Sequence, residues 1–256
     1  MRFDVITLFP EIFPGPLAAG VVGRALEQGL IEIQAHDLRH FGLGVHRQVD
    51  DVPYGGGPGM VLRPEPLFQA VREIRAVPGM PPARGILLSA HGRKLSTELI
   101  EELSRETALL LVCGRYEGVD ERVRMGLELD EVSVGDFVVS GGELPAMMLI
   151  EAVARRLPGT LGDPESALDE SFSGGLPEYP HYTRPAVFEG MTVPEVLRRG
   201  DHAKIARWRA EAALERARRL RPDLLGGVQG SGAAETADRE EKRDAAATGV
   251  PLGGAQ

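Results

Sequence analysis

The chain has 256 residues, 43% hydrophobic and 26% charged, the mix of a soluble globular protein with one large or two small domains. Its single cysteine, Cys113, excludes an intrachain disulfide and a multi-cysteine zinc site, and fits a reducing compartment. A formal net charge of −9 argues against a nucleic-acid footprint over the whole surface. Residues 198–221 reverse that balance. Nine Arg/Lys minus three Asp/Glu leave a local +6, readable as a solvated helix face or as an anion-binding surface.

In chain order, RFDVITLF (2–9) predicts a strand ended by Pro10, and residues 16–28 a helix stopped at Gly29. LIEIQAHD (30–37) alternates as a strand does. A polar, glycine-rich stretch covers 38–63, and residues 65–76 form an amphipathic helix. GILLSA (85–90) and ALLLVCG (108–114) read as buried strands, joined by a helix over 97–106 that Ser96 caps. Short strands at 129–134 and 136–140 flank Gly135, and a helix follows at 143–156. This rhythm predicts an α/β fold, a mainly parallel sheet covered by helices. Residues 157–185 are proline-rich and aperiodic, the mark of a functional or interdomain linker. Beyond them, Thr192 and Glu195 form a capping box on a short helix stopped by Gly200. Asp201 caps a basic helix to about 220, which makes 186–225 a small helical domain. The Gly/Ala-rich tail, 226–256, lacks the apolar content to fold. The opening MRFDVITLFPEIF has no signal-peptide pattern and no apolar run approaches a membrane span, so a cytoplasmic protein without membrane contact is expected.

The common catalytic motifs are absent. Tyr54-Gly55-Gly56-Gly57-Pro58-Gly59-Met60 is glycine-rich, but no Gly-Lys-Ser/Thr follows, so it is not a P-loop. His36, His40 and His46 read as polar loop residues, and no metal-ligand spacing exists. Gly114, Gly135, Gly141 and Gly142 fall at strand ends, where ligands bind in α/β sheets. Glycines there let backbone approach a ligand, or simply make turns. Ser89 would add a further wall, and Arg115-Tyr116-Glu117 could stack on and hydrogen-bond a ligand. The pairs Asp50-Asp51 and Asp169-Glu170 suit general-base or magnesium roles, or are solvated surface residues.

Five segments together carry a resemblance: DVITLFPEIF (4–13), HRQVDDVPYGGGPGM (46–60), LLVCGRYEGVDERV (110–123), VGDFVVSGGELPAMMLIEAV (134–153) and PHYTRPAVFEGMTVPEVLRRGDHAKIARWR (180–209). In this order they closely resemble the bacterial tRNA (guanine-N1)-methyltransferases, the TrmD family, from residue 1 to about 225. The resemblance implies a SPOUT-type α/β fold whose S-adenosylmethionine site is a deep trefoil knot. With the composition reading, it gives a cofactor domain (1–156), a flexible linker (157–185), a helical tRNA-binding domain (186–225) and, beyond the resemblance, a tail (226–256) expected to be disordered. It implies a homodimer that methylates N1 of the guanine 3′ to the anticodon, with Mg2+ supporting activity.

By matching position, it assigns the cofactor pocket to Leu88, Ser89, Gly114, Tyr116, Glu117, Val134, Gly135, Asp136, Phe137, Val138, Val139, Gly141, Gly142 and Pro145. Asp50, Pro58, Gly59 and Arg115 fall on the guanine side, and Arg155 on the guanine oxygen. Two positions depart from the family. Glu170 stands directly before Ser171-Phe172, where the family has its aspartate base, with Asp169 the second candidate. Ser89-Ala90-His91-Gly92 replaces a Ser-Pro-Gln-Gly wall. The rivals are a non-catalytic RNA-binding protein and a ribose 2′-OH methyltransferase. The first would be expected to lose Arg155 or the strand-end glycines, the second the PHYTRP segment; all are present.

Overall fold

A strand covered on both faces needs no polar side chain. The run ALLLVC meets that condition, and in the computed structural model it is β6 (Ala108–Cys113), buried at every position. The structure describes residues 1–161, 171–172 and 175–227. Beside β6 lie β1 (Arg2–Thr7), β2 (Glu32–Asp37), β5 (Arg84–Lys94) and β7 (Asp130–Ser133), in the order β2-β1-β6-β5-β7 with every pair parallel. The mainly parallel α/β sheet expected from the sequence is therefore present.

Side chains alternate across the sheet with period two. Leu109, Leu111 and Cys113 share one core with Phe3, Val5, Ile86 and Leu88. That core is closed by α2 (Gly20–Glu27), α4 (Thr97–Leu103) and α6 (Glu143–Ala154). Leu110 and Val112 share the other with Ile6 and Leu87, under α3 (Pro64–Arg75) and α5 (Glu121–Leu127). A short hairpin, β3 (Asp50–Asp51) with β4 (Val61–Leu62), carries the glycine-rich loop.

Several local expectations change. The helix expected at 16–28 is two helices, α1 (Pro14–Leu17) and α2, because Gly20 takes φ +65° and Gly23 packs directly on the Ala18 carbonyl. The helix after Ser96 ends at Leu103. β5 runs to Lys94, with residues 89–92 out of the ladder: Leu88 and Arg93 both pair with Val132. Gly92 makes this possible, since a Cβ there would overlap the Glu131–Val132 backbone. α5 was not anticipated; its signal was Asp120, whose carboxylate accepts the Arg122 N–H at 3.0 Å. Residues 136–140 are not a strand. They lie past the end of β7 with no partner strand, and Val138 is 86% exposed. No helix among the described residues is long and apolar enough to cross a membrane.

The chain forms two compact units, Met1–Pro164 and Glu165–Gln256. In the second, β8 (Val187–Phe188) pairs with β9 (Met191–Thr192), so Thr192 is in a strand and the expected capping box does not form. The turn Glu195–Arg198 follows Pro194 without a side-chain cap. Asp201 does cap α7 (His202–Leu220), accepting the Lys204 N–H at 3.1 Å. Tyr182 packs near Trp208, and Arg209 lies over the Tyr179 ring at 4.6 Å. The tail expected to be disordered lies outside the described residues from 228 onward.

His36 is on β2 rather than in a loop, and its Nε2 lies 2.8 Å from the carboxylate of Asp4, which is fully buried in β1. Arg2 donates to the same carboxylate at 2.8 and 2.9 Å. Burial alone would raise the Asp4 carboxyl; the hydrogen bonds from His36 and Arg2 outweigh it and hold it below the usual range. A lowered carboxyl contributes stability above the unfolded value, near pH 4, and loses it as pH falls through the folded value. Asp4→Asn is expected to cost about 3–5 kcal/mol at pH 7. Urea denaturation at pH 7 and pH 3 checks this, with the difference from the unaltered protein shrinking at pH 3.

Candidate active site

Glu143 is the first residue of α6 and only 2% exposed, so its carboxylate needs matched partners. It has three. The helix N-terminus favours negative charge. The Thr7 hydroxyl, at the end of β1, donates to Oε1 at 2.9 Å. Arg115, just past β6, donates through Nε to Oε2 at 3.1 Å. The circuit then closes: the Phe9 N–H donates to Thr7 Oγ1 at 3.0 Å, and the Arg115 guanidinium lies 4.4 Å over the Phe9 ring. Among the described residues the two terminal nitrogens of Arg115 make no hydrogen bond.

The strand-end glycines fit around this circuit. A Cβ on Gly141 would overlap Arg115 Nε and Glu143 Oε2, and one on Gly142 would lie 2.7 Å from Cys113 Cα. Gly142 donates to the Gly114 carbonyl at 2.9 Å, and Arg115 forms a β-bridge with Gly141. These two glycines make room for protein atoms. Gly114 is tight as well: a Cβ there would lie 3.3 Å from the Leu88 carbonyl oxygen on the neighbouring strand β5. Burial pushes the Cys113 thiol well up, with the Glu143 charge adding to it.

The other cofactor candidates of this unit sit about the same strand ends. Leu88, Gly135 and Pro145 are buried, and Ser89 and Val134 partly so. Ser133 Oγ pins the turn by donating to the Gly135 carbonyl at 2.9 Å. Asp136, Phe137, Val138 and Val139 are exposed, Asp136 paired with Lys94 Nζ at 2.9 Å. Tyr116 is 52% exposed at φ +59°, a left-handed conformation that a bulky side chain adopts only where its surroundings hold it. Desolvation pushes its phenol up, and the Asp50 charge adds to that.

The guanine-side candidates Asp50, Pro58 and Gly59 belong to the β3–β4 hairpin loop, which is fastened to the loop after β6. Glu117 N–H donates to the Met60 carbonyl, Leu62 N–H to Gly118 and Asp120 N–H to Leu62, each at 3.0 Å. Gly59, at φ +82°, lies against the Glu117 side chain where a Cβ would overlap it. The structure thus brings Asp50, Gly59, Arg115, Tyr116 and Glu117 into one neighbourhood.

The family model for tRNA (Guanine-1)-methyltransferase TrmD matches residues 1–227. The chain belongs to the TrmD family. It is 54% identical over 230 residues to a tRNA (guanine-N(1)-)-methyltransferase of Moorella thermoacetica, covering 89% of this chain and 91% of the relative. A Synechococcus sp. (strain JA-3-3Ab) enzyme of the same name is 55% identical over 225 residues, 88% of each chain. One from Geobacillus kaustophilus is 50% identical over 225 residues, 88% of this chain and 91% of the relative.

Against TrmD expectations, one residue is out of reach. Arg155 follows the last turn of α6, twelve positions after Glu143. At about 1.5 Å per residue that is some 18 Å along the helix axis. Four residues beyond Arg155, the Cβ position of Gly159 lies 3.6 Å from the side chain of Leu30, just before β2. Arg155 therefore lies toward the amino ends of the strands, and the cofactor candidates at the carboxyl ends. Asp169 and Glu170 lie outside the described residues. Thr7, Phe9 and Glu143 were missed from sequence. The available signal was a glutamate directly after Gly-Gly, opening a mostly apolar helix. Gly142→Ala is expected to destabilise the protein by about 1–3 kcal/mol, because its neighbours are backbone atoms that cannot yield cheaply. Gly15→Ala, which meets open space, should not. Denaturant titration of the two variants checks this.

Proposed function

We propose that this chain transfers a methyl group from S-adenosylmethionine to N1 of the guanine 3′ to a tRNA anticodon, in the cytoplasm, as a homodimer. The observation that carries it is the clustering of Asp50, Gly59, Arg115, Tyr116 and Glu117, joined by backbone hydrogen bonds, in a chain that belongs to the TrmD family. The donor set suits the cofactor. Backbone groups at Leu88 and Gly114 lie at neighbouring strand ends, and Val134, Phe137, Val138 and Val139 supply apolar surface for a nucleoside. When bound, S-adenosylmethionine supplies an electrophilic methyl group. Mg2+, usually held by one or two carboxylates with substrate oxygens, supports the reaction in this reading. The family resemblance also implies that the loops about this pocket are threaded as a trefoil knot.

Neutral guanine N1 carries a proton and is a weak nucleophile. In the proposed mechanism Glu170, with Asp169 the alternative, takes that proton, a contribution of about 10²–10⁴-fold. A guanidinium stabilises the charge spreading to O6; removing such a donor costs about 10²–10³-fold. Arg115 and Asp50 hold the base in line. The target base leaves its stack to reach them. The basic helix α7 contacts tRNA phosphates within a binding domain at 186–225.

Dimerisation accounts for two observations. Leu144 and Met148, one helical turn apart on α6, are 59% and 51% exposed, and Phe137 and Val138 are exposed too; a second copy would cover such apolar surface. The distance between Arg155 and its own strand ends is resolved if Arg155 serves the partner's pocket. Mixing Arg155→Ala protein with Tyr116→Ala protein, each inactive alone, is then expected to restore methyl transfer; no restoration would place Arg155 within its own site. The activity itself is checked with labelled S-adenosylmethionine and two transcripts differing only in guanine or adenine 3′ to the anticodon. Label is expected on the guanine transcript alone, as 1-methylguanine. Glu170→Ala should abolish it; retention of more than half the activity would assign the proton to Asp169.

A further inference from the structure

The circuit through Thr7, Glu143, Arg115 and Phe9 joins three elements that are far apart in sequence. We infer that Glu143, set by Thr7, is a positioning residue for methyl transfer. It fixes the Arg115 guanidinium so that the terminal nitrogens are presented to the RNA substrate in one orientation. This rests on the reading of the protein as a tRNA methyltransferase with Arg115 on the guanine side.

A free arginine side chain carries about 2 kcal/mol of rotamer entropy, which a substrate must overcome to use it. Here three constraints remove most of that freedom before substrate arrives. Nε is spent on Glu143, at 3.1 Å from Oε2 and 3.3 Å from Oε1. The guanidinium plane rests on Phe9, whose own N–H is tied to Thr7. Gly141 lies so close to Arg115 Nε and Glu143 Oε2 that any side chain there would displace the pair. What remains is the pair of terminal nitrogens, which make no hydrogen bond among the described residues and belong to a side chain 22% exposed. A fork held in this way suits bidentate recognition of an oxygen pair or a carbonyl on RNA. Glu143 is buried beneath it and acts only through Arg115.

A double-mutant cycle tests this, using the full chain as the dimer it forms. Glu143→Gln keeps the shape of the side chain and removes its charge. Thr7→Val keeps the shape and removes the hydroxyl. Each is combined with Arg115→Ala. The readouts are kcat/KM for a guanine-bearing tRNA transcript, the Kd for the same transcript, the Kd for S-adenosylmethionine, and Tm. Glu143→Gln alone is expected to lower kcat/KM for tRNA about 10–100-fold, the scale of a misplaced contact group. The S-adenosylmethionine Kd should move less than twofold. In the Arg115→Ala background the same change should lower kcat/KM less than twofold further. Additive losses, or equal losses in tRNA and S-adenosylmethionine binding, would overturn the inference. If Glu143→Gln fails to fold, Thr7→Val is read by the same criteria. If the unaltered protein transfers no methyl group, the parent reading fails, and the cycle on transcript Kd still decides whether Glu143 acts through Arg115.

Discussion

A carboxylate taken out of water must be met by charge and hydrogen bonds or it will not stay ionised and buried. Glu143 meets that condition only because three segments arrive together: the end of β1, the end of β6 and the start of α6. The strand ends cannot separate without stranding it, and the Gly141–Gly142 turn cannot hold any larger residue beside it. The carboxyl edge of the sheet is therefore set by one buried ion pair.

The two halves of the site are coupled through backbone rather than side chains. The loop after β6 is hydrogen-bonded to the β3–β4 hairpin at Met60 and Leu62, and Gly59 packs on Glu117. The exposed apolar residues of α6 and of 137–139 concern a third surface. Most of the rest of α6 is buried, with Glu151 exposed near its end.

Much of the fold was legible in the sequence. β1, β2, α3, β6 and α6 came from period and capping, because each is either strictly alternating, amphipathic or wholly apolar. The misses share a cause. The segment 136–140 has a strand's composition, but its valines face outward and no strand lies beside it to pair with. Thr192 and Glu195 have the spacing of a capping box, but pairing with Val187 commits Thr192 to a hairpin. Local pattern cannot see a partner that is absent or a partner that competes.

The sequence by itself determined the family and the parallel α/β architecture, because these depend on residue type and order along the chain. Tertiary structure alone decided which residues meet. Thr7, Arg115 and Glu143 are separated by as many as 136 positions, and only the parallel sheet brings their strand ends to one edge. It also decided that Arg155, only twelve positions from Glu143, stands far from it. A helix advances about 1.5 Å per residue, so nearness in sequence along α6 becomes distance in space.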